Sequence, residues 1–223
     1  MAMRFNPEVM IETFPLLLDG LELTIYITLV GLAFGFIIGI TAGLGRLSRY
    51  RFNRSAASVY IEIIRGTPMI VQALFLYFGV PLATGIRIDP ITAGIITIAV
   101  NSGAYIAEIV RGAIQSIDQG QFEAGRSIGL TQHQTMLSII WPQAFRRMIP
   151  PLGNQFIISL KDTSLLTVIG VAELTRSGQE IVAVNFRSFE VYLTVGILYL
   201  AMTLTISKCL RWYENKLIAR SRR

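Results

Sequence analysis

The chain has 223 residues, of which 52% are hydrophobic and only 15% charged, and its mean hydropathy is +0.56. Soluble domains carry about a quarter charged residues, so this balance belongs to an integral membrane protein of one domain, residues 1–223, and excludes a fused ATPase or catalytic domain. The formal net charge of +6 comes largely from arginines in short loops between apolar runs, which is a topology signal and not a nucleic-acid-binding surface.

The start, MAMRFNPEVMIETFPLLL, has no basic region ahead of its apolar run, so no cleavable signal peptide is expected. A span needs about 20 mostly apolar residues. Five are predicted, over about 21–44, 58–82, 91–110, 148–171 and 192–210. In the first, Gly31, Gly35, Gly39 and Gly43 recur every fourth residue and form a ridge that lets a neighbouring helix approach closely.

Span two contains YIEIIRGTPM, with Glu62 and Arg65 three apart on one helical face. Pro68 removes a backbone donor one turn on and loosens the helix near Thr67. Span three contains NSGAYIAEIVRG, with Glu108 and Arg111 in the same relation. YIEIIRG and YIAEIVRG resemble each other, and an ancient repeat and a coincidence both remain open. Charges at mid-bilayer cost roughly 2.5–3.5 kcal/mol each on insertion scales, so each needs a partner or a wet cavity. Glu62 and Arg111 lie near enough to span ends to reach the interface by snorkelling.

The 118–142 segment reads as helix, turn, helix. Asp118 followed by Gln121, and Thr131 followed by Gln134, fit capping boxes, and Gly129 suits the left-handed position that ends the first helix. Apolar Ile128, Leu130, Leu137, Ile140 and Trp141 are free to rest on the bundle or on a partner. A rigid docking element and an amphipathic helix lying on the membrane both fit this pattern. Span four is interrupted by SLKDTSLL, where Lys161, Asp162, Thr163 and Ser164 reach the middle of the bilayer. Such interrupted polar helices line cavities or substrate paths, against the plainer reading of internal ion pairs that only fix packing.

One cysteine, Cys209, and one histidine, His133, leave no internal disulfide and no Cys/His metal cluster to build, and Cys209 is expected in the core. The loop arginines alternate. Arg46, Arg49, Arg51 and Arg54 follow span one, Arg111, Arg126, Arg146 and Arg147 follow span three, and Lys208, Arg211, Lys216, Arg220, Arg222 and Arg223 close the chain. The other flanks lean acidic: Arg4 against Glu8, Glu12 and Asp19, then Glu173, Glu180 and Glu190 against Arg176 and Arg187. By the positive-inside rule the N-terminus is outside, the C-terminus cytoplasmic, and residues 118–142 face the cytoplasm.

Glu123-Ala124-Gly125, Gly129, Ile139 and Pro142 match the EAA–x3–G–x9–I–x–L–P loop of ABC importer permeases at every spacing, with Gly125 in place of the usual Ala and Trp141 in place of Leu. EIIRGTP, NSGAYIAEIVRGAI, RRMIPPLGNQFIISLKDTSL and GVAELTRSGQEI extend the similarity over nearly the whole chain, to the polar amino-acid branch and its glutamine-type members.

The resemblance implies an all-α, five-helix type I importer core in the bacterial inner membrane. It implies coupling helices that dock a cytoplasmic ABC ATPase dimer through Glu123, Ala124, Gly125, Gly129 and Pro142. It further implies a second permease, identical or paralogous, and an extracytoplasmic substrate-binding protein that meets the acidic outer loops. No GxxxxGK[ST] occurs, so the chain itself is expected to be non-catalytic, with ATP and Mg held by the partner. For a polar amino acid, Arg65, Thr67 and Lys161 are candidates for its carboxylate, Glu108 or Asp162 for its ammonium, and Asn101 and Ser164 for neutral hydrogen bonds. An ion-coupled secondary transporter with Glu108 and Asp162 as ion sites is the alternative. No Ser/His pair, HExxH or paired catalytic carboxylates appear, which leaves an intramembrane enzyme without machinery.

Overall fold

The computed structural model describes residues 5–221, and every regular element in it is helical. Arg4, Arg222 and Arg223 of the charge pattern lie outside the described residues.

Helix α1, Pro7–Arg46, runs for 40 residues, roughly 60 Å, twice the thickness of a hydrocarbon core. Asn6 caps it by accepting from the Glu8 amide at 3.0 Å, and Pro7 opens its first turn, where a missing donor costs nothing. Its buried stripe is made of small residues, Gly20, Thr24, Thr28, Gly31, Gly35, Gly39 and Gly43. The threonine hydroxyls donate to their own helix four residues back, Thr24 to Gly20 O at 2.9 Å and Thr28 to Thr24 O at 2.7 Å. Helix α5, Pro90–Gln115, lies along this stripe. A methyl on Gly31, Gly39 or Gly43 would stand 2.7, 2.5 or 2.8 Å from Ile98, Ile106 or Ala107, and one on Gly35 would collide with Ser102 Oγ. The predicted ridge is therefore a packing surface. Its partners rise in step with it, so α1 and α5 are parallel.

Span two is not one straight helix. Helix α2, Arg51–Gly66, ends at Thr67 (φ −116°, ψ 142°), and α3, Met69–Leu74, leaves at a bend of 105°. Pro68 is the cause. It has no N–H to give α2, and its ring drives Thr67 into extended geometry. A five-residue π turn, Phe75–Gly79, then leads into α4, Val80–Thr84, with Pro81 in its first turn.

The 118–142 segment forms α6, Gln119–Ser127, and α7, Gln132–Thr135. A second π turn, Met136–Ile140, joins α7 to α8, Trp141–Asp162. Both π turns end two residues before a proline, Pro81 and Pro142. The wider i→i+5 bonds, Val80 N to Phe75 O and Trp141 N to Met136 O, take up the carbonyl crowding that a proline ring creates. The helix expected to start at Met148 thus begins well before it, as part of one helical run from Gln132. A 3₁₀ stretch, Thr163–Ile169, ends it, followed by α9, Leu174–Asn185, and α10, Ser188–Ser221.

Helix α8 runs antiparallel to α5: Arg147 donates to Ser116 O near one end, while Gln155 and Asp162 share a cavity with Asn101 further along. Helix α10 starts beside the start of α1, where the Asn6 amide donates to Glu190 Oε1 at 3.0 Å. Among the described residues three helices are long and apolar enough to cross a membrane, Pro7–Arg46, Pro90–Gln115 and Ser188–Tyr213, and the bent pair 51–66 with 69–84 makes up to four. The expected fourth span does not pass on composition, because α8 carries Arg146, Arg147, Asn154, Gln155, Lys161 and Asp162.

Two smaller expectations are corrected. Cys209 is exposed, because α10 turns Leu210, not Cys209, onto Gly153 of α8. Glu173 and Glu190, assigned from sequence to an acidic outer loop, are buried. Glu173 accepts from the Arg176 amide at 2.9 Å and the Tyr199 hydroxyl at 2.8 Å, capping α9 from inside the bundle.

Candidate functional site

The helix break and the interrupted end of α8 come together. A cavity of about 520 Å³ is lined by Arg65, Thr67 and Pro68 at the break, Asn101 and Tyr105 on α5, and Gln155, Ile158 and Asp162 on α8, among others. Of the seven residues predicted from sequence to meet a substrate, Arg65, Thr67, Asn101 and Asp162 line it. Glu108, Lys161 and Ser164 do not. Lys161 points away and is exposed, and Ser164 spends its hydroxyl on Lys161 O at 2.7 Å.

Glu108 belongs to a different constellation. Its carboxylate accepts from Arg111 Nη2 at 2.7 Å, is paired with Arg46, and lies 3.6 Å from Arg65 Nη1. Arg46 also lies 3.9 Å from Glu62. Both carboxylate oxygens are thus engaged by guanidinium groups from α1, α2 and α5, which corrects the expectation of Glu108 as a free acceptor for a ligand ammonium. The spacing that made Glu62–Arg65 look like a pair instead sends Arg65 to Glu108. Arg65 is the most exposed of the three arginines that meet Glu108. Its side chain is 43% exposed, against 17% for Glu108, and its guanidinium lies over the Tyr105 ring at 5.4 Å. It borders the cavity and the arginine cluster at once.

Sequence reading missed Gln72, Tyr105 and Gln155. Gln72 is a lone amide in the apolar run MIVQALFLYF, four residues after Pro68. That position is its only signal: an amide one turn past a helix break is placed to satisfy the broken end. Gln155 donates to Ser159 Oγ at 3.2 Å along α8.

The loop follows its caps closely. Thr131 Oγ1 accepts from the Gln134 amide at 3.3 Å while Gln134 Oε1 accepts from the Thr131 amide at 2.8 Å, a complete capping box. Asp118 caps α6 through the Gly120 amide at 2.7 Å instead of the predicted box with Gln121. Gly129 adopts φ +88°, with its amide donating to Arg126 O and the Leu130 amide to Gly125 O, both at 3.1 Å. This is a Schellman ending, and it needs a residue without a Cβ penalty at 129.

Glu123, Ala124, Gly129 and Pro142 are exposed and Gly125 is buried. Gly125 is the joint between the two helices: a Cβ there would stand 2.6 Å from Thr135 Cγ2. Among the apolar loop residues, Ile140 is packed fully into the bundle, whereas Ile128 is 74% exposed. The structure therefore divides a set that the sequence left undivided. On the opposite end of the bundle, Glu12, Asp19 and Glu180 line a separate cavity of about 730 Å³.

Residues 35–221 match the family model described as binding-protein-dependent transport system inner membrane component. The chain belongs to that family. It is 50% identical over 216 residues to the glutamine transport system permease protein GlnP of Escherichia coli K12, covering 96% of this chain and 99% of that protein. It is 40% identical over 204 residues to the L-cystine transport system permease protein TcyB of Bacillus subtilis, covering 91% and 87%. The solved structure titled as an amino acid ABC transporter with histidines superposes with a TM-score of 0.91 at 41% identity, over 96% of this chain and 100% of that one. The MetNI methionine ABC transporter, at 22% identity and a TM-score of 0.79, shares the fold. These likenesses place the permease among ABC importer subunits and give no support to the ion-coupled alternative.

Proposed function

We propose that this permease is the non-catalytic membrane subunit of an ATP-driven importer of polar amino acids in the bacterial inner membrane, with glutamine as the substrate to test first. The half-identity with a glutamine permease over almost the whole chain carries the reading. Its partners are a cytoplasmic ABC ATPase dimer that holds ATP and Mg, a second permease, identical or paralogous, to complete the path, and an extracytoplasmic substrate-binding protein. The exposed acidic cavity around Glu12, Asp19 and Glu180 suits that last contact.

The type I topology has five crossings, with the N-terminus outside and the C-terminus cytoplasmic. Three features support it. Helices α1, α5 and α10 run in one direction and α8 in the other. The bent α2–α4 unit makes the one return that parallel α1 and α5 require. Helix α8 falls short in hydropathy because its polar face borders a path and not lipid.

In the cavity, Arg65 and Thr67 are assigned to the substrate carboxylate, and Asp162 with Asn101 to its ammonium. Glu108 holds the arginines, and Lys161 and Ser164 take part only if the path widens towards them. Coupling follows from the continuity of the helical run 132–162. One end carries the loop with Glu123, Ala124 and Gly129 beside it, and the other carries Gln155 and Asp162. ATPase closure on the loop therefore moves a rod roughly 45 Å long whose far end is the cavity wall. Proteoliposomes holding the permease, its ATPase and its binding protein are expected to take up labelled L-glutamine only with Mg-ATP inside the ATPase compartment. Uptake of L-cystine or L-arginine in preference would move the substrate assignment, and cysteine labelling from each side would test the orientation.

A further inference from the structure

We infer that Gln72 is a positioning residue of the cavity: it turns Asn101 so that its carbonyl oxygen faces the ligand and reads a hydrogen-bond donor, an ammonium or a carboxamide NH2. The inference rests on the proposed reading of the cavity as an amino-acid site.

The starting point is the broken end of α2. The last carbonyls of a helix have no intrahelical donors, and Pro68 offers none. Thr67 Oγ1 donates to Ile63 O at 2.9 Å, which settles one of them. Gln72 settles others. Its Nε2 donates to Ile64 O at 2.8 Å and lies 3.1 Å from Thr67 O and 2.9 Å from Thr67 Oγ1. Backbone carbonyls accept and never donate, so the nitrogen end of the Gln72 amide has to face α2. Its oxygen end then faces α5. There it accepts from Asn101 Nδ2 at 3.1 Å.

That contact fixes Asn101 in turn. Asn101 is 7% exposed and lines the cavity. With the nitrogen end of its amide turned to Gln72, one Nδ2–H is spent there and the opposite end, Oδ1, is the acceptor presented to a ligand. The chain of amides therefore carries a direction from the α2 break to the ligand: carbonyls of Ile64 and Thr67, then Gln72, then Asn101, then a donor on the substrate. A side chain at 72 must offer a donor on one end, for Thr67 and the α2 carbonyls, and an acceptor on the other, and it is the acceptor end that orients Asn101.

The two ends can be removed separately in the complete transporter, reading KM and maximal rate of ATP-dependent L-glutamine uptake. Gln72→Met releases Asn101 and is expected to raise KM about tenfold while the maximal rate per assembled transporter stays within about twofold. Gln72→Glu still presents an oxygen to Asn101 and is expected to hold KM within about threefold of wild type, with a lower thermal midpoint because the α2 carbonyls lose their donor. Should Gln72→Met not assemble, Gln72→Lys keeps a donor for α2 and removes the acceptor, and the same tenfold rise in KM is expected.

The acceptor end of Gln72 acts through Asn101, so adding Gln72→Lys, which keeps a donor for Thr67 and the α2 carbonyls, to Asn101→Leu is expected to leave KM within about twofold of Asn101→Leu alone. An unchanged KM in Gln72→Met, or effects that multiply in the double variant, would overturn the inference while wild-type uptake stands. Absence of ATP-dependent amino-acid uptake by the wild-type transporter would instead overturn the reading of the cavity, and this inference with it.

Discussion

In the 118–142 loop the capping and turn groups find their partners within about five residues: Thr131 with Gln134, Asp118 with Gly120, the Leu130 amide with Gly125 O. Around the cavity the partners are distant. Gln72 reaches back eight residues to Ile64 and across 29 to Asn101, and Arg46 meets Glu108 over 62 residues. The loop is a rigid part assembled by local chemistry, whereas the cavity exists only once α1, α2, α5 and α8 have packed. On the proposed reading this is a division of labour: a loop that keeps its shape when pushed, and a cavity that changes when its helices move.

The largest effect should come from the long-range side. Glu108→Gln leaves the Arg46, Arg65 and Arg111 guanidinium groups without their shared carboxylate. It is expected to cost about 2 kcal/mol, read as a lower thermal midpoint of the purified permease, together with altered transport. A midpoint and uptake equal to wild type would mean that the three arginines are held by something else.

On the local side, Gly125→Ala sets a methyl against Thr135 and is expected to cost about 1 kcal/mol, recovered in Gly125→Ala/Thr135→Ala. A double variant no better than the single would show that the joint does not depend on this contact. Thr131→Ala removes the capping box and should cost about 1 kcal/mol or less, seen as faster amide exchange over residues 132–135 with KM unchanged. A changed KM from Thr131→Ala would break the separation between the two regions.

The same contrast governs what the sequence could reveal. The Thr131–Gln134 capping box, the left-handed glycine, the glycine ridge and the Pro68 break are written in residues close together, and all four were legible, whereas Asp118 caps through Gly120 and not through the box expected with Gln121. The loop motif even marked its own departure: Gly125 stands where the family pattern has Ala because Thr135 occupies the space of that methyl. The cavity was half legible. Arg65, Thr67, Asn101 and Asp162 were marked by polarity inside apolar runs, and so were Glu108 and Lys161, which belong elsewhere. Polarity says that a group needs a partner, and only packing says whether the partner is a ligand, an arginine or solvent. Gln72 was missed because its partners, the α2 carbonyls and Asn101, are brought to it only by the bend at Pro68 and by packing on α5. The span count stays coarser than the five predicted: among the described residues three helices and one bent pair are long and apolar enough, and α8, the predicted fourth span, is too polar to join them.

The measurement that bears most directly on this account is the number of substrate molecules taken up per ATP hydrolysed, in reconstituted transporter carrying Gly129→Val. A β-branched residue at φ +88° costs about 1–2 kcal/mol and unseats the turn between α6 and α7. If the loop is the element through which an ATPase moves the α8 wall, hydrolysis continues while uptake per ATP falls about tenfold. Uptake per ATP equal to wild type, or uptake that proceeds with no ATP at all, would contradict it.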